Sequence, residues 1–323
     1  MTIGIAVALY NGMRFLEEQL DTLRLQTLPA DKVVLCDDGS TDGTPEAVRA
    51  YIEKYGLQDR WLFLQNEVNL GYIRNFYKAM SLCQTDLIFL ADQDDVWDKE
   101  KLAKMTKVME DRPEIQLLSC RYGIMDAQGQ VLQSVVEGAA RQDEQVNPIC
   151  VKDILQAYRW PGMILCLRNN FFRELLPQIE DCDVAHDFMF CMCAADRNGF
   201  FEYGYLGAYH RRHDNNTARE EHRIFKLLNL DRKLSEIAAT LRLWQNFLDA
   251  KLSLKDDTRQ LLTRRFASLQ AREQALSRKR LGKILAVYRN DPDHFLRTKS
   301  LVRDLWLVLF GKKRKQDPSA ERS

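Results

Sequence analysis

Three carboxylates occupy four positions at Asp92-Gln93-Asp94-Asp95, directly after the apolar run Leu-Ile-Phe-Leu-Ala. Like charges this close repel one another, and a bound divalent cation relieves the repulsion. Oxygen donors of this kind suit Mg²⁺ or Mn²⁺. The alternating spacing puts Asp92 and Asp94 on one side of an extended turn. A cation held there can bridge the phosphates of a nucleotide diphosphate and stabilise the charge that builds up as that group leaves. A solvated acidic loop is the competing reading, and it sits poorly with the buried run in front of it.

Four further clusters could carry chemistry. Asp37-Asp38-Gly39-Ser40-Thr41-Asp42-Gly43-Thr44 follows the apolar run Lys32 to Cys36. Its carboxylates can accept hydrogen bonds from a base or a ribose; an Asp/Gly/Ser turn leading into a helix cap reads the same residues. In His186-Asp187, at the start of a helical pattern, Asp187 could draw a proton from an attacking hydroxyl. It could equally be a carboxylate favoured by the helix dipole. His210-Arg211-Arg212-His213-Asp214-Asn215-Asn216 combines phosphate and metal partners, or serves as a polar connector. Finally, Lys312-Lys313-Arg314-Lys315 follows Leu305 to Phe310. An aromatic-aliphatic stretch beside a basic run suits an anionic membrane surface, or a packed terminal helix with a solvated tail.

The elements that must position these residues are legible from hydrophobic periodicity. Apolar runs of strand length at Ile3 to Leu9, Lys32 to Cys36, Trp61 to Leu64 and Asp86 to Ala91 alternate with helical patterns, giving βαβαβαβ. Strands apolar throughout and separated by helices indicate a parallel sheet covered on both faces. Ligands bind such sheets at the carboxyl ends of the strands, and the acidic clusters at Asp37 and Asp92 lie at such ends. Further strands are expected at Leu117 to Tyr122, Met163 to Leu167 and Tyr203 to Tyr209, a helix at Ala185 to Arg197, and a polar loop from Gln133 to Pro148. Beyond about Thr217 glycine nearly vanishes and long helical patterns take over. The expected division is residues 1–219 and a helical, basic region 220–323.

Charge follows the same division. Residues 1–217 hold 22 Lys and Arg against 33 Asp and Glu, a net of −11; residues 218–323 hold 25 against 13, a net of +12. Such asymmetry points to different partners for the two parts. An acidic part that binds a diphosphate calls for a cation. Cys36, Cys83, Cys120 and Cys166 read as buried thiols. Cys191 and Cys193 lack the second thiol pair of a zinc site, and a reducing cytoplasm fits. The opening residues lack the basic region of a signal peptide, and no apolar stretch reaches the length of a membrane span. The expected location is cytoplasmic, with peripheral contact at the inner face of the plasma membrane.

Taken together, Ile5-Ala6-Val7-Ala8-Leu9-Tyr10-Asn11-Gly12, Asp37-Asp38-Gly39-Ser40-Thr41-Asp42 and Asp92-Gln93-Asp94-Asp95-Val96-Trp97 resemble the family-2 glycosyltransferases, in order and spacing, over about residues 1–217. The resemblance implies a GT-A fold: a Rossmann-like mixed, mainly parallel sheet flanked by helices, here with a helical C-terminal extension. It also implies inversion at the anomeric carbon in one displacement, using a nucleotide-sugar donor. Leu9, Asn11, Asp37 and Asp38 map to donor contacts. Asp92-Gln93-Asp94 maps to the DxD motif, with Asp94 as the metal ligand and Asp92 nearer the ribose or metal. Asp187 maps to the catalytic base. The DQDD form and the later segment look most like the bacterial rhamnosyltransferase branch, which makes His213 a third ligand of Mn²⁺ or Mg²⁺ and Arg211 a diphosphate contact. His210 stands where a Tyr is more usual.

The expected donor is a dTDP- or UDP-sugar, with dTDP-L-rhamnose as the branch-level choice. The expected acceptor is a hydroxyl of a cell-surface polysaccharide or lipid-linked glycan precursor, and no nucleic acid is expected as a partner. A metal-dependent nucleotidyltransferase also uses paired carboxylates on an α/β fold, but the loop after Leu9 lacks that class's glycine-rich basic character. A non-catalytic carbohydrate-binding protein is opposed by the joint presence of Asp92, Asp94, Asp187 and His213.

Overall fold

The computed structural model describes residues 1–135, 144–213, 229–291 and 298–310. The middle of the expected polar loop, Asp214-Asn215-Asn216, the helical transition at Thr217 and the basic run Lys312-Lys313-Arg314-Lys315 lie outside them. By internal contacts the chain divides into two compact units, Met1–Asn216 with Ala250–Leu252, and Thr217–Asp249 with Ser253–Ser323.

The first unit begins with β1 (Ile3–Leu9), α1 (Leu16–Arg24), β2 (Lys32–Asp37), α2 (Thr44–Lys54), β3 (Trp61–Gln65), α3 (Tyr72–Leu82) and β4 (Leu87–Ala91). It continues through β5 (Val96–Trp97), α4 (Lys101–Asp111), β6 (Leu117–Met125), β7 (Val131–Gln133), β8 (Val146–Pro148) and α5 (Val151–Gln156). A 3₁₀ turn at Gly162–Ile164, β9 (Leu165–Arg168), α6 (Asn169–Ile179), α7 (His186–Asp196) and β10 (Phe200–Arg211) complete it. The order along the sheet is β3-β2-β1-β4-β9-β6-β10-β5, with β7 beside β6 and β8 beside β10.

Strand direction gathers the site. β3, β2, β1 and β4 are mutually parallel. β9 is antiparallel to both β4 and β6, so β6 runs the same way as β4, and β10 is parallel to β6. Six strands therefore end along one edge, at Leu9, Asp37, Gln65, Ala91, Met125 and Arg211. Every side chain of β4 is buried, as are nearly all of β1 and β2, which is why these strands read as unbroken apolar runs.

The middle of the chain differs from the sequence expectation: β6 runs past the expected Tyr122 to Met125, and the helices α5 and α6 were not expected. The strand expected from Met163 begins at Leu165, because Ile164 N–H donates to Pro161 O (3.2 Å) and closes a turn first. The expected loop from Gln133 to Pro148 holds strand at both ends, Gln133 closing β7 and Val146–Pro148 forming β8. β10 is twelve residues long rather than seven and changes register twice, between Glu202 and Leu206 and between Leu206 and Ala208. The missed residues are Phe200 to Glu202 and His210-Arg211, and within the expected part Gly207 is required by packing: a Cβ there would lie 2.6 Å from Cys120 Sγ.

The second unit contains α8 (Leu230–Asp249), α9 (Asp256–Ser277), α10 (Leu281–Arg289) and α11 (Thr298–Phe310). α9 packs against α8, α10 and α11. No helix among the described residues is long and apolar enough to cross a membrane. Cys36, Cys83, Cys120 and Cys166 are buried thiols, and Cys191 and Cys193 are also buried in the first unit.

Candidate functional site

The loops at the carboxyl edge are tied to one another by side chains. Asp37 is fully buried and accepts from Gly39 N–H (3.2 Å), Ser40 N–H (3.0 Å) and the Ser40 hydroxyl. Asp38 accepts from Asn66 Nδ2 (2.8 Å), Leu70 N–H (2.8 Å) and Gly71 N–H (2.9 Å), which fixes the loop between β3 and α3. Asp42 accepts from Met13 N–H (3.0 Å), Thr44 N–H (3.1 Å) and Thr44 Oγ1 (2.6 Å). Burial opposes charge on Asp42, but the bonds from Thr44 and Met13 outweigh it and hold its pKa below the ordinary value. Gly39 and Gly43 have φ of +83° and +89°, which a turn this tight demands of glycine.

Leu9 is buried at the end of β1 and its carbonyl accepts from Asp38 N–H (2.9 Å). Asn11 has a left-handed backbone, φ 49°. Its N–H donates to Ser40 Oγ (2.8 Å) and its Oδ1 accepts from Thr41 N–H (2.9 Å). The expected donor contacts Leu9, Asn11, Asp37 and Asp38 thus stand together, with both carboxylates already engaged by the chain. The helix-cap-and-turn reading of this segment describes those bonds well.

The turn after β4 is built differently. Among the described residues nothing donates a hydrogen bond to Asp92. Asp94 Oδ2 lies 2.7 Å from His213 Nε2. Asp95 is buried and accepts from Arg211 N–H (3.1 Å). Burial, then the charges of Asp94 and Asp187, push the Asp92 carboxyl up to about 7. Burial, Asp94 and Asp92 raise Asp95 well above the ordinary range. Lys101 pulls against both shifts. It is itself fully buried, donates to Met163 O (2.5 Å) and has its ammonium 3.3 Å from the Trp97 ring centroid; burial pushes its pKa down to about 8.

His213 is brought to Asp94 across 119 residues because β10 ends beside the β4 turn. Its ring packs on Phe15, centroids 4.9 Å apart. Arg211 is buried, and it braces this corner: Nε donates to Asp94 O (2.9 Å), Nη2 pairs with Glu18 Oε2 (2.6 Å), and the guanidinium lies 4.8 Å from the Phe15 centroid. Asp187 sits in the first turn of α7, close enough to Asp92 for its charge to be felt there. Its neighbour His186 is buried against Phe76, centroids 4.2 Å apart, with no hydrogen-bond partner on either ring nitrogen among the described residues; burial lowers its pKa. His186 therefore acts as a neutral packing ring.

All nine residues expected from the sequence are placed along this one edge or at the start of α7. No group of three or more His, Cys, Asp and Glu side chains is closed around a metal position among the described residues. The donor chemistry still fits a hard cation, which commonly takes one or two protein ligands and completes its shell with phosphate and water. Sequence reasoning missed Glu18, Phe15 and Lys101, which carry no motif. It also missed the role of Gln93, whose Oε1 accepts from Tyr10 N–H (2.7 Å) while Nε2 donates to Tyr10 O (2.9 Å), tying the β4 turn to the β1 loop.

Comparison with known proteins agrees with this fold. The sequence profile of glycosyl transferase family 2 matches residues 5–200. The chain is 30% identical over 119 residues to abequosyltransferase RfbV of Salmonella typhimurium, covering 36% of this chain and 35% of that protein, so the match spans about a third of that relative's length. Among solved structures, S. aureus TarS in complex with UDP superposes with a TM-score of 0.54 at 19% identity, covering 88% of this chain and 75% of that one. The mannosyltransferase PcManGT of Pyrobaculum calidifontis, in complex with GDP-Man and Mn²⁺, gives 0.56 at 16% identity, covering 95% and 86%. These likenesses support the fold expected from the sequence, a mixed, mainly parallel sheet flanked by helices with a helical C-terminal region.

Proposed function

The chain belongs to glycosyl transferase family 2, and from that membership we propose that it moves a sugar from a nucleotide diphosphate donor to an acceptor hydroxyl, with inversion in a single displacement. The observation that carries the reading is the Asp94–His213 contact of 2.7 Å beside an acidic turn in which, among the described residues, nothing donates a hydrogen bond to Asp92. In this reading Asp94 and His213 hold Mn²⁺ or Mg²⁺, with Asp92 at the ribose or metal. When bound, the cation stabilises charge on the departing diphosphate.

The chain's own residues do the rest. From its place in the first turn of α7, Asp187 takes the proton from the acceptor hydroxyl. Leu9, Asn11, Asp37 and Asp38 form the rigid floor for the nucleotide. Arg211 lends its positive charge to the diphosphate while it holds the Asp94 carbonyl. Catalysis is assigned to residues 1–219 and acceptor-side partnering to the basic region 220–323. The form of the Asp92 turn and His213 supports dTDP-L-rhamnose as the first donor to try. The acceptor is a lipid-linked glycan or polysaccharide precursor at the cytoplasmic membrane face, with an anionic membrane as the partner of the basic region.

A thermal-shift screen of dTDP-L-rhamnose, UDP-hexoses and GDP-mannose, with and without Mn²⁺, should show one donor that stabilises the protein only with metal. Asp187→Asn should keep that shift and lose transfer by about 10²–10⁴-fold. Normal transfer by Asp187→Asn places the base elsewhere, and the absence of any metal-dependent donor shift removes the donor-site reading.

A further inference from the structure

α11 presents a stripe of large apolar side chains to solvent. Val302 is 64% exposed, Trp306 37%, Leu309 57% and Phe310 64%, and the Trp306 and Phe310 ring centroids are 5.7 Å apart. The inward side is fixed by Asp304, which is fully buried. Its carboxylate accepts from Arg272 Nε (2.6 Å) and Nη2 (2.9 Å) on α9 and from the Tyr288 hydroxyl (2.8 Å) on α10. One buried carboxylate thus ties three helices together. At roughly 100° per residue, Val302, Trp306, Leu309 and Phe310 fall about 140–240° around the helix from Asp304. They face away from the packed side by construction, whereas Leu307 and Val308 are buried.

The neighbouring helix repeats the pattern with charge added. Leu281 and Leu285 of α10 are exposed. From Gln274 to Asn290 there is no Asp or Glu, while Arg278, Lys279, Arg280, Lys283 and Arg289 are all exposed. In the sequence, Lys312-Lys313-Arg314-Lys315 follows α11 directly. Aromatic and aliphatic side chains standing in water beside basic ones match an anionic lipid surface in both hydropathy and charge.

We propose that the outward sides of α10 and α11 rest on an anionic lipid surface. Val302, Trp306, Leu309 and Phe310 enter the boundary between headgroups and acyl chains, and Arg278, Lys279, Arg280 and Lys283 meet the headgroups. The proposal deepens the reading of the basic region as the membrane partner and rests on it. It names side chains that the basic run alone would not require.

The test is flotation of the full-length protein with vesicles of phosphatidylcholine, alone or mixed with phosphatidylglycerol. Trp61, Trp97, Trp160 and Trp244 are buried, so a lipid-induced change in tryptophan emission reports Trp306. The wild type should float with the mixed vesicles, and its emission should shift to the blue. A Trp306→Gln/Leu309→Gln/Phe310→Gln variant should lose at least about tenfold in binding with its helical circular dichroism unchanged. A Lys279→Glu/Arg280→Glu/Lys283→Glu variant should lose binding by at least about tenfold, from mixed vesicles only. If the wild type ignores mixed vesicles, the membrane reading itself fails. If the wild type floats and both variants float equally, membrane contact stands and these faces are not its seat. Dimerisation lost in the glutamine variant, with flotation intact, makes the stripe a contact between two copies of the chain and overturns the proposal.

Discussion

Two acidic turns lie at the carboxyl ends of buried strands in the same sheet, and the protein treats them in opposite ways. In the turn after β2, Asp37, Asp38 and Asp42 each receive three hydrogen bonds from the chain. In the turn after β4, Asp92 receives none from described residues, Asp95 has the Arg211 N–H, and Asp94 has His213. The first turn is electrostatically complete. The second is not, and its Asp92 and Asp95 carboxyls answer by holding protons more tightly. Identical residue types at equivalent strand ends are thus met differently: donor groups brace the first turn, and among the described residues few reach the second, the turn proposed to take a cation.

Substitution at Asp94 should break the contrast most sharply. Asp94→Asn removes a proposed metal ligand and should lower Mn²⁺-dependent transfer by about 10²–10³-fold. Its melting temperature without metal should stay level or rise, because one of the repelling charges is gone. Donor transfer measured with and without a chelator, next to a melt of the same samples, checks both parts. A variant that melts well below the wild type without metal would show that the protein relies on Asp94 structurally, as it relies on Asp38.

Asp38→Ala should act in the reverse sense. It leaves one of the two N–H groups of the buried Asn66 Nδ2 unpaired, the other still reaching Asn75 Oδ1 (2.9 Å), and it leaves Leu70 N–H to water, while Gly71 N–H keeps only Asn69 Oδ1 (3.1 Å). About 2–3 kcal/mol of stability should go, seen as a melting temperature lower by roughly 5–10 °C in a unit of this size. Metal binding, followed by Mn²⁺ titration well below the melt, should change little. A large loss of metal affinity with an unchanged melt would reverse the assignment of the two turns.

The sheet was legible because β1, β2 and β4 are buried on both faces, which leaves unbroken apolar runs, and because Asn11-Gly12 and Asp38-Gly39 mark the ends of the first two. The gathering of the residues at and just beyond Leu9, Asp37, Ala91 and Arg211 follows from strand direction, whereas Asp187, at the start of α7, was reached through the family resemblance. Two things were not legible. β10 reads too short in the sequence because its missed ends carry polar residues: Glu202, which is buried and accepts from Trp160 Nε1 (2.9 Å), and His210-Arg211, which read as part of a polar cluster. The distinction between the two acidic turns depends on N–H groups of Leu70, Gly71 and Met13, and a backbone donor leaves no mark in a residue's identity. Arg211 shows the same limit, since a sequence reports a cation but not that Glu18 and the Asp94 carbonyl hold it.

Gln93 ties the β4 turn to the loop that Asp37 and Asp42 help to brace, and the smallest predicted effect lies there. Its side-chain amide pairs with both polar groups of the Tyr10 backbone, so the β4 turn and the β1 loop hold a fixed register. The bonds are exposed, and water replaces them at a net cost of about 1 kcal/mol. Gln93→Ala should thus raise the donor KM about fivefold, the equivalent of that cost, and leave kcat nearly unchanged. Gly12 supplies an independent route to the same contact. A Cβ at Gly12 would lie 2.5 Å from Gln93 Oε1 and 2.8 Å from its Cδ, and its three nearest neighbours all belong to Gln93. Gly12→Ala should therefore displace the Gln93 amide and reproduce the Gln93→Ala phenotype. Combined with Gln93→Ala it has no amide left to displace, so the double variant should match Gln93→Ala alone. Additive KM effects in that cycle would mean that Gly12 and Gln93 act on the donor separately, and that the two turns are not coupled through this amide.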